Sequence, residues 1–180
     1  QPVHELTSID KPQNLAISGV WSLPFGKGRH FAVSNKLLDA VIGGWSTNWS
    51  YRYTSGTPVA GINAVNKCGP LLVADQSHDH WWNNSSSCWG GNPSYMPRVI
   101  PDYYAWLRWQ DNSTVNLATS KTFTLHDRWR LNLRGEAFNL LNTPIYKTAS
   151  TTYNNAAFGK LSIEQRNFPR NIQVAARIMF

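Results

Sequence analysis

The sequence predicts an all-β fold of antiparallel strands, about five of them, forming the last part of a large transmembrane β-barrel. Three observations carry that expectation. Apolar residues recur with period 2, not 3.6, in five separate segments. The connections between those segments run medium, long, tight, long along the chain, as short turns on one side of a membrane and long loops on the other require. Rings are abundant beside few charges: Trp 9, Tyr 7 and Phe 7 give 13% aromatic residues against 15% charged.

The first segment is Asn14–Leu23, with Leu15, Ile17, Gly19, Trp21 and Leu23 on one face and Asn14, Ala16, Ser18, Val20 and Ser22 on the other. A short helix is predicted over Lys36–Ile42, stopped by Gly43-Gly44. The second strand, Trp45–Ser55, sets Trp45, Thr47, Trp49, Tyr51 and Tyr53 against Ser46, Asn48, Ser50, Arg52 and Thr54. Val115–Leu125 sets Val115, Leu117, Thr119, Lys121, Phe123 and Leu125 against Asn116, Ala118, Ser120, Thr122 and Thr124. A tight turn, His126-Asp127-Arg128, leads into Trp129–Ala137, where Trp129, Leu131, Leu133, Gly135 and Ala137 oppose Arg130, Asn132, Arg134 and Glu136. The last strand sets Ile172, Val174, Ala176, Ile178 and Phe180 against Gln173, Ala175, Arg177 and Met179. Residues 56–113 and 142–170 read as two very long loops, of the length that usually carries function.

A soluble antiparallel sheet alternates as well. Two features favour a lipid-facing wall. Trp21, Trp45, Phe123, Trp129 and Phe180 gather at one end of the apolar face and Tyr51 and Tyr53 toward the other, like the two interfacial girdles of a membrane barrel. The opposite faces carry Arg52, Arg130, Arg134, Glu136 and Arg177, as a watery lumen does. No apolar run approaches the roughly 18 residues of a spanning helix. Five strands do not close a barrel, and open edges are not tolerated in lipid. The chain, which starts at Gln1 rather than Met, is therefore expected to be one piece, 1–180, of a longer barrel.

A set of motifs, in order along nearly the whole chain, resembles the C-terminal end of a TonB-dependent outer-membrane receptor of the acidobacterial Oar-like type, which carries a carboxypeptidase-regulatory-like domain. The residues are Ser8-Ile9-Asp10-Lys11-Pro12, Ser18–Gly28 (SGVWSLPFGKG), Gly43-Gly44-Trp45, Tyr53–Pro58 (YTSGTP), Ser120-Lys121-Thr122-Phe123, Arg134–Pro144 (RGEAFNLLNTP), Phe158-Gly159-Lys160 and Pro169–Gln173 (PRNIQ). The stretch 60–113 matches none of its motifs. The resemblance implies a bacterial outer-membrane transporter importing a scarce nutrient: a metal chelate, a vitamin, or a glycan or peptide fragment. It implies 56–113 and 142–170 as extracellular loops and His126-Asp127-Arg128 as a periplasmic turn. It further implies partners: outer-membrane lipid, the TonB complex through a plug domain absent from these residues, and the barrel-assembly machinery reading the strand that ends at Phe180.

Within that frame Cys68 and Cys88, both in the 56–113 loop, are expected to form a disulfide. His78 and His80 flank Asp79 in the same loop, either as contacts to a ligand or as a solvated turn; their spacing is no established metal motif, and no metal or other cofactor is expected. Trp81, Trp82, Trp89, Trp106 and Trp109, with Tyr95, Tyr103 and Tyr104, crowd the loop, either to stack on an unknown small ligand or to pack on one another. Arg52, Arg130, Arg134, Glu136 and Arg177 are candidates for a luminal charge ladder. The net charge of +7 is spread over strands, turns and loops rather than gathered with rings on one face, so no nucleic-acid partner is expected. No nucleophile, phosphate-loop or zinc-protease signature occurs, so no enzyme is expected. The competing readings are a secreted carbohydrate-binding β-sandwich and a passive porin or adhesion barrel.

Overall fold

The computed structural model describes residues 6–93, 95, 101–126 and 128–180. Gln1 and the turn residue Asp127, singled out in the sequence, lie outside the described residues. The elements run β1 (Asn14–Ser22), α1 (Lys36–Ile42), β2 (Ser46–Thr54), β3 (Pro58–Ala60), β4 (Val65–Asn66), a 3-10 turn (Ser86–Cys88), β5 (Trp89–Gly90), β6 (Tyr103–Arg108), β7 (Asn112–His126), β8 (Trp129–Phe138) and β9 (Asn171–Met179). The five alternating segments of the sequence are β1, β2, β7, β8 and β9, each within three residues at either end, and the expected helix matches residue for residue. The chain divides into two compact units: one of residues 1–14, 54–112 and 144–167, the other of 15–53, 113–143 and 168–180.

The second unit is the wall. Its five strands form one sheet in the order β1-β2-β7-β8-β9, each beside its neighbour in sequence. The β7–β8 and β8–β9 pairs are antiparallel, and their register decides the faces. Leu133 stands between Lys121 and Ala176, and Gly135 between Thr119 and Val174. On the opposite face Asn132 stands between Thr122 and Arg177, and Arg134 between Ser120 and Ala175. Residues opposed in an antiparallel pair share a face, so the apolar and polar sets of the sequence stay apart across three strands. The face continues onto β2 and β1. Thr47 Oγ1 meets Thr119 Oγ1 at 3.3 Å, and the Trp49 ring lies over Gly19, where a Cβ would come within 2.9 Å of it.

This wall buries little of what it displays. On the apolar face of β9, Val174 is 83% and Ile172 70% exposed, and on β1 Trp21 is 57% exposed. Trp129 and Phe180 lie side by side at one end of the apolar face, ring centroids 5.5 Å apart. The expected ladder of charges on the polar face reduces, among the described residues, to one ion pair: Arg134 donates to Glu136 Oε1 at 2.6 Å.

At the far end of β8, the segment Asn139–Pro144 is a clasp. Asn139 and Asn142 both take left-handed backbone, φ 50° and 53°, the region asparagine tolerates best among residues with a Cβ. Asn139 is buried. Its Oδ1 accepts from Thr143 N, its Nδ2 donates to Phe168 O at 3.0 Å, and its own N–H donates to Asn116 Oδ1 at 3.0 Å. Asn142 Oδ1 accepts from Arg170 N at 3.0 Å. One short motif thereby ties the ends of β7, β8 and β9. Asn139→Ala removes buried polar partners and forces alanine into left-handed backbone. It is expected to lower stability by about 2–4 kcal/mol, read as a lower urea midpoint of the heat-modifiable folded form in detergent; an unchanged midpoint would discount the clasp.

Candidate ligand-facing site

The first unit holds the core that the wall lacks. Phe158 is its centre. Edge-on rings surround it: Trp89 at 5.0 Å, Trp82 at 5.6 Å and Tyr153 at 6.2 Å between centroids. Val59, Ile62, Ala64, Leu71, Leu107 and Leu161 fill the space around them. The two stretches that read as separate loops thus fold on one another, with 56–113 supplying most of the shell and 142–170 supplying the central ring. Inside the longer stretch, β3 pairs with β6 and β4 with β5, elements too short to show periodicity in the sequence.

Backbone approach fixes the unit at three points. Gly56 sits where a Cβ would lie 1.7 Å from Trp109 O, so no other residue fits. Arg108 grips the neighbouring chain: Nη1 donates to Asp10 O and Gly56 O, both at 3.1 Å, and Nη2 to Asp10 Oδ2 at 2.6 Å. Ser55 N donates to Gln13 O at 2.9 Å. The Asp10-Lys11-Pro12 and Ser55-Gly56-Thr57-Pro58 motifs are therefore two sides of one joint. At the third point, Gly159 has φ 72° and leaves room for Asn84 and the Trp82 indole.

Cys68 and Cys88 are bonded, as expected, beside the β4–β5 pair and 20 residues apart. The enclosed loop carries His78-Asp79-His80. Ser77 and His80 exchange backbone hydrogen bonds, which makes this segment a tight turn. The two imidazoles diverge from it. His78 is half-buried, with Nε2 3.2 Å from Ser162 O and its ring edge-on to Tyr146 at 5.2 Å. His80 is exposed, with Nδ1 2.9 Å from Asn84 Oδ1. Each lines its own cleft. The larger, about 620 Å³, holds His78, Asp79, Thr148, Ser150, Lys160 and Ser162. The smaller, about 260 Å³, holds His80, Asn84, Tyr153, Asn154, Asn155 and Lys160. Lys160 lines both, and beside these polar groups the larger cleft is walled by Ala149, Ala156, Ala157, Leu161 and Ile163 and the smaller by Trp89, Ala156 and Phe158. Sequence reasoning missed Lys160 and the asparagine pair. Nothing in 142–170 marks them as neighbours of His78 before Phe158 is placed.

The tryptophans divide. Trp82 and Trp89 are 0% and 3% exposed and belong to the core, and Trp89 also lines the smaller cleft. Trp81 and Trp109 are partly buried against that core, with Trp81 Nε1 donating to Arg108 O at 2.9 Å. Trp106 stands 53% exposed, edge-on to Tyr104. Of the seven candidate contacts, His80 and Trp106 are exposed, His78, Trp81 and Trp109 half-buried, and Trp82 and Trp89 buried; Trp106 lines neither cleft. Among the described residues no group of three or more His, Cys, Asp or Glu is arranged to hold a metal. Lys147 donates to the Glu164 carboxylate on the exterior of this unit, and that hydrogen bond, then the ammonium's charge, lowers the Glu164 pKa. The pair's small stabilising effect is therefore present above the ordinary glutamate range and fades as pH falls through the lowered value.

A family described as "Outer membrane beta barrel domain" matches residues 4–173. No curated protein and no solved structure matches the chain.

Phe158→Ala is expected to cost the loop unit about 3–5 kcal/mol and to open it to added protease in the detergent-solubilised protein. The wall is expected to stay heat-modifiable, because Phe158 packs among residues of its own unit. Joint loss of both properties would show the units to be one cooperative structure.

Proposed function

The chain belongs to the outer-membrane β-barrel family, and from that premise we propose that it supplies wall strands and ligand-capturing loops to a TonB-dependent transporter. The transporter's location is the bacterial outer membrane. The observation that carries the proposal is the loop unit itself. A passive pore needs only a rim, whereas residues from both long connections here build an aromatic core, a disulfide and two clefts that share Lys160. A rigid, disulfide-braced loop holds its polar groups in place before a ligand arrives, which reduces the ordering cost of binding. The clefts offer the Lys160 ammonium, the Asp79 carboxylate, imidazoles, amides and hydroxyls against largely apolar walls, a set suited to a solute that joins polar groups to an apolar body. That fits a metal chelate, a vitamin or a glycan or peptide fragment.

Energy for import would come from the inner membrane through TonB, acting on a plug domain carried elsewhere in the polypeptide. The edge position of β9, with its apolar alternation through Phe180, suits recognition by the barrel-assembly machinery, which pairs an extended strand to an edge. The five strands leave β1 and β9 at the edges of the sheet, and lipid tolerates no unpaired edge. Further strands are therefore proposed to complete the wall.

A passive pore is the second reading, and the polar face favours it at one point. Arg52, Arg130, Arg134 and Arg177 stand against Glu136 as its one acid, a balance that would draw anions through an open lumen. Conductance separates the two. The complete receptor in a planar bilayer bathed in potassium chloride is expected to stay closed. A steadily open, anion-selective channel would overturn the TonB-dependent reading and establish the pore.

A further inference from the structure

We propose that the segment Pro24–Ile42 is an interfacial anchor that docks on the periplasmic leaflet of the outer membrane and engages anionic phospholipid headgroups. The proposal rests on family membership alone and holds whether or not the barrel is coupled to TonB.

Helix α1 is short and capped, with Asn35 Oδ1 accepting from Leu37 N at 2.9 Å and Leu38 N at 3.2 Å. Leu37, Leu38, Val41 and Ile42 fall on one face at helical spacing, and all four are exposed, Leu37 by 80%. The preceding loop adds Phe25 and Phe31, stacked at 5.5 Å and also exposed. Nothing in the described residues covers this apolar surface. In water such a patch is a liability; at a membrane interface it is an anchor.

The side of the wall on which α1 lies identifies the occupant. Lys121 belongs to the apolar face of β7, directly opposite Leu133. Its Nζ donates to Ala40 O at 2.6 Å and Asp39 O at 3.3 Å, the exposed carbonyls at the end of α1, and it sits 4.7 Å from the Phe123 ring centroid. Trp45 Nε1 donates to Val41 O at 2.8 Å. The helix is therefore fastened to the lipid-facing side of the wall. A plug or a passing solute would meet the polar face, and further wall strands would extend the sheet sideways from its edges. Lipid is what remains to cover this surface.

Depth and charge name the lipid. The segment joins β1 to β2 at the same end of the sheet as the short β7–β8 turn, which is the periplasmic end in barrels of this family's architecture. Trp129 and Phe180 mark the interface there. Around the apolar patch Lys27, Arg29 and Lys36 are exposed, whereas the one acid, Asp39, is occupied: its Oδ1 accepts from Lys27 N at 2.8 Å. Three cations beside an apolar face at a phospholipid leaflet complement anionic headgroups.

The test places a bimane label at Leu37→Cys, and separately at Val41→Cys, in the complete receptor; Cys68 and Cys88 are bonded and do not compete for label. The protein is reconstituted with brominated phosphatidylcholine or brominated phosphatidylglycerol. Both labels are expected to be quenched by bromolipid and shielded from iodide in the buffer. The phosphatidylglycerol preference is expected to be of the order of fivefold, the equivalent of one engaged headgroup contact. The triple variant K27Q/R29Q/K36Q is expected to lose that preference and keep quenching by phosphatidylcholine. Free access of iodide with no bromolipid quenching would overturn the anchor. Equal quenching by the two lipids in the unsubstituted protein would overturn the headgroup assignment. Heat-modifiability of each labelled protein confirms the fold before quenching is read.

Discussion

A strand in hydrocarbon has no water for its amide protons, so every backbone group must be met by a neighbouring strand. That constraint governs the wall. It explains why five strands lie beside their sequence neighbours in one meander, the arrangement that pairs the backbone with the shortest closures on one side. It also frees the side chains from the usual duty of building a core. Their outward set needs only to be apolar and their inward set only to suit water. Val174 and Ile172 are accordingly among the most exposed aliphatic residues of the chain, although they alternate as regularly as any buried strand.

The long connections face the opposite problem. They hold their shape without a wide sheet to help. Their answer is a small core of large rings, with Phe158 set edge-on among Trp82, Trp89 and Tyr153, a geometry that the ring quadrupoles favour. The disulfide supports it by closing a loop of about 20 residues, worth about 3 kcal/mol in lost unfolded-state entropy. The high aromatic content thus has two unrelated causes. Trp21, Trp129 and Phe180 stand exposed on the apolar face of the wall, while Trp82, Trp89 and Phe158 replace the core that a domain of ordinary composition would build from aliphatics.

Legibility in the sequence follows the same division. A long strand repeats its alternation enough times to be recognised, and the register then keeps Thr119, Gly135 and Val174 in one row as the pattern implies. α1 was equally plain, because Gly43-Gly44 ends it. The loop unit was not readable, for a physical reason. Its strands β3, β4 and β5 are two or three residues long, shorter than any period, and its core joins Trp82 to Phe158 across 76 positions with no local signal at either end. His78 and His80 were found by residue type, but their separation into two clefts depends on the turn between them. Lys160 became visible only once Phe158 had fixed the position of its neighbour.

The motifs that carry the family likeness mark joints rather than chemistry. Gly56 admits the Trp109 carbonyl; Asn139 and Asn142 clasp three strand ends; Gly26, with φ 115°, packs against the backbone of Gly43. Each is a place where two backbones come too close for another side chain, or where left-handed backbone is required. The clefts draw on His78, His80 and Asn84 from a stretch without any such motif, and that stretch is braced by its own disulfide and rings. Residues 60–113 can therefore vary while the wall stays as it is, because the forces that hold the two units are different in kind.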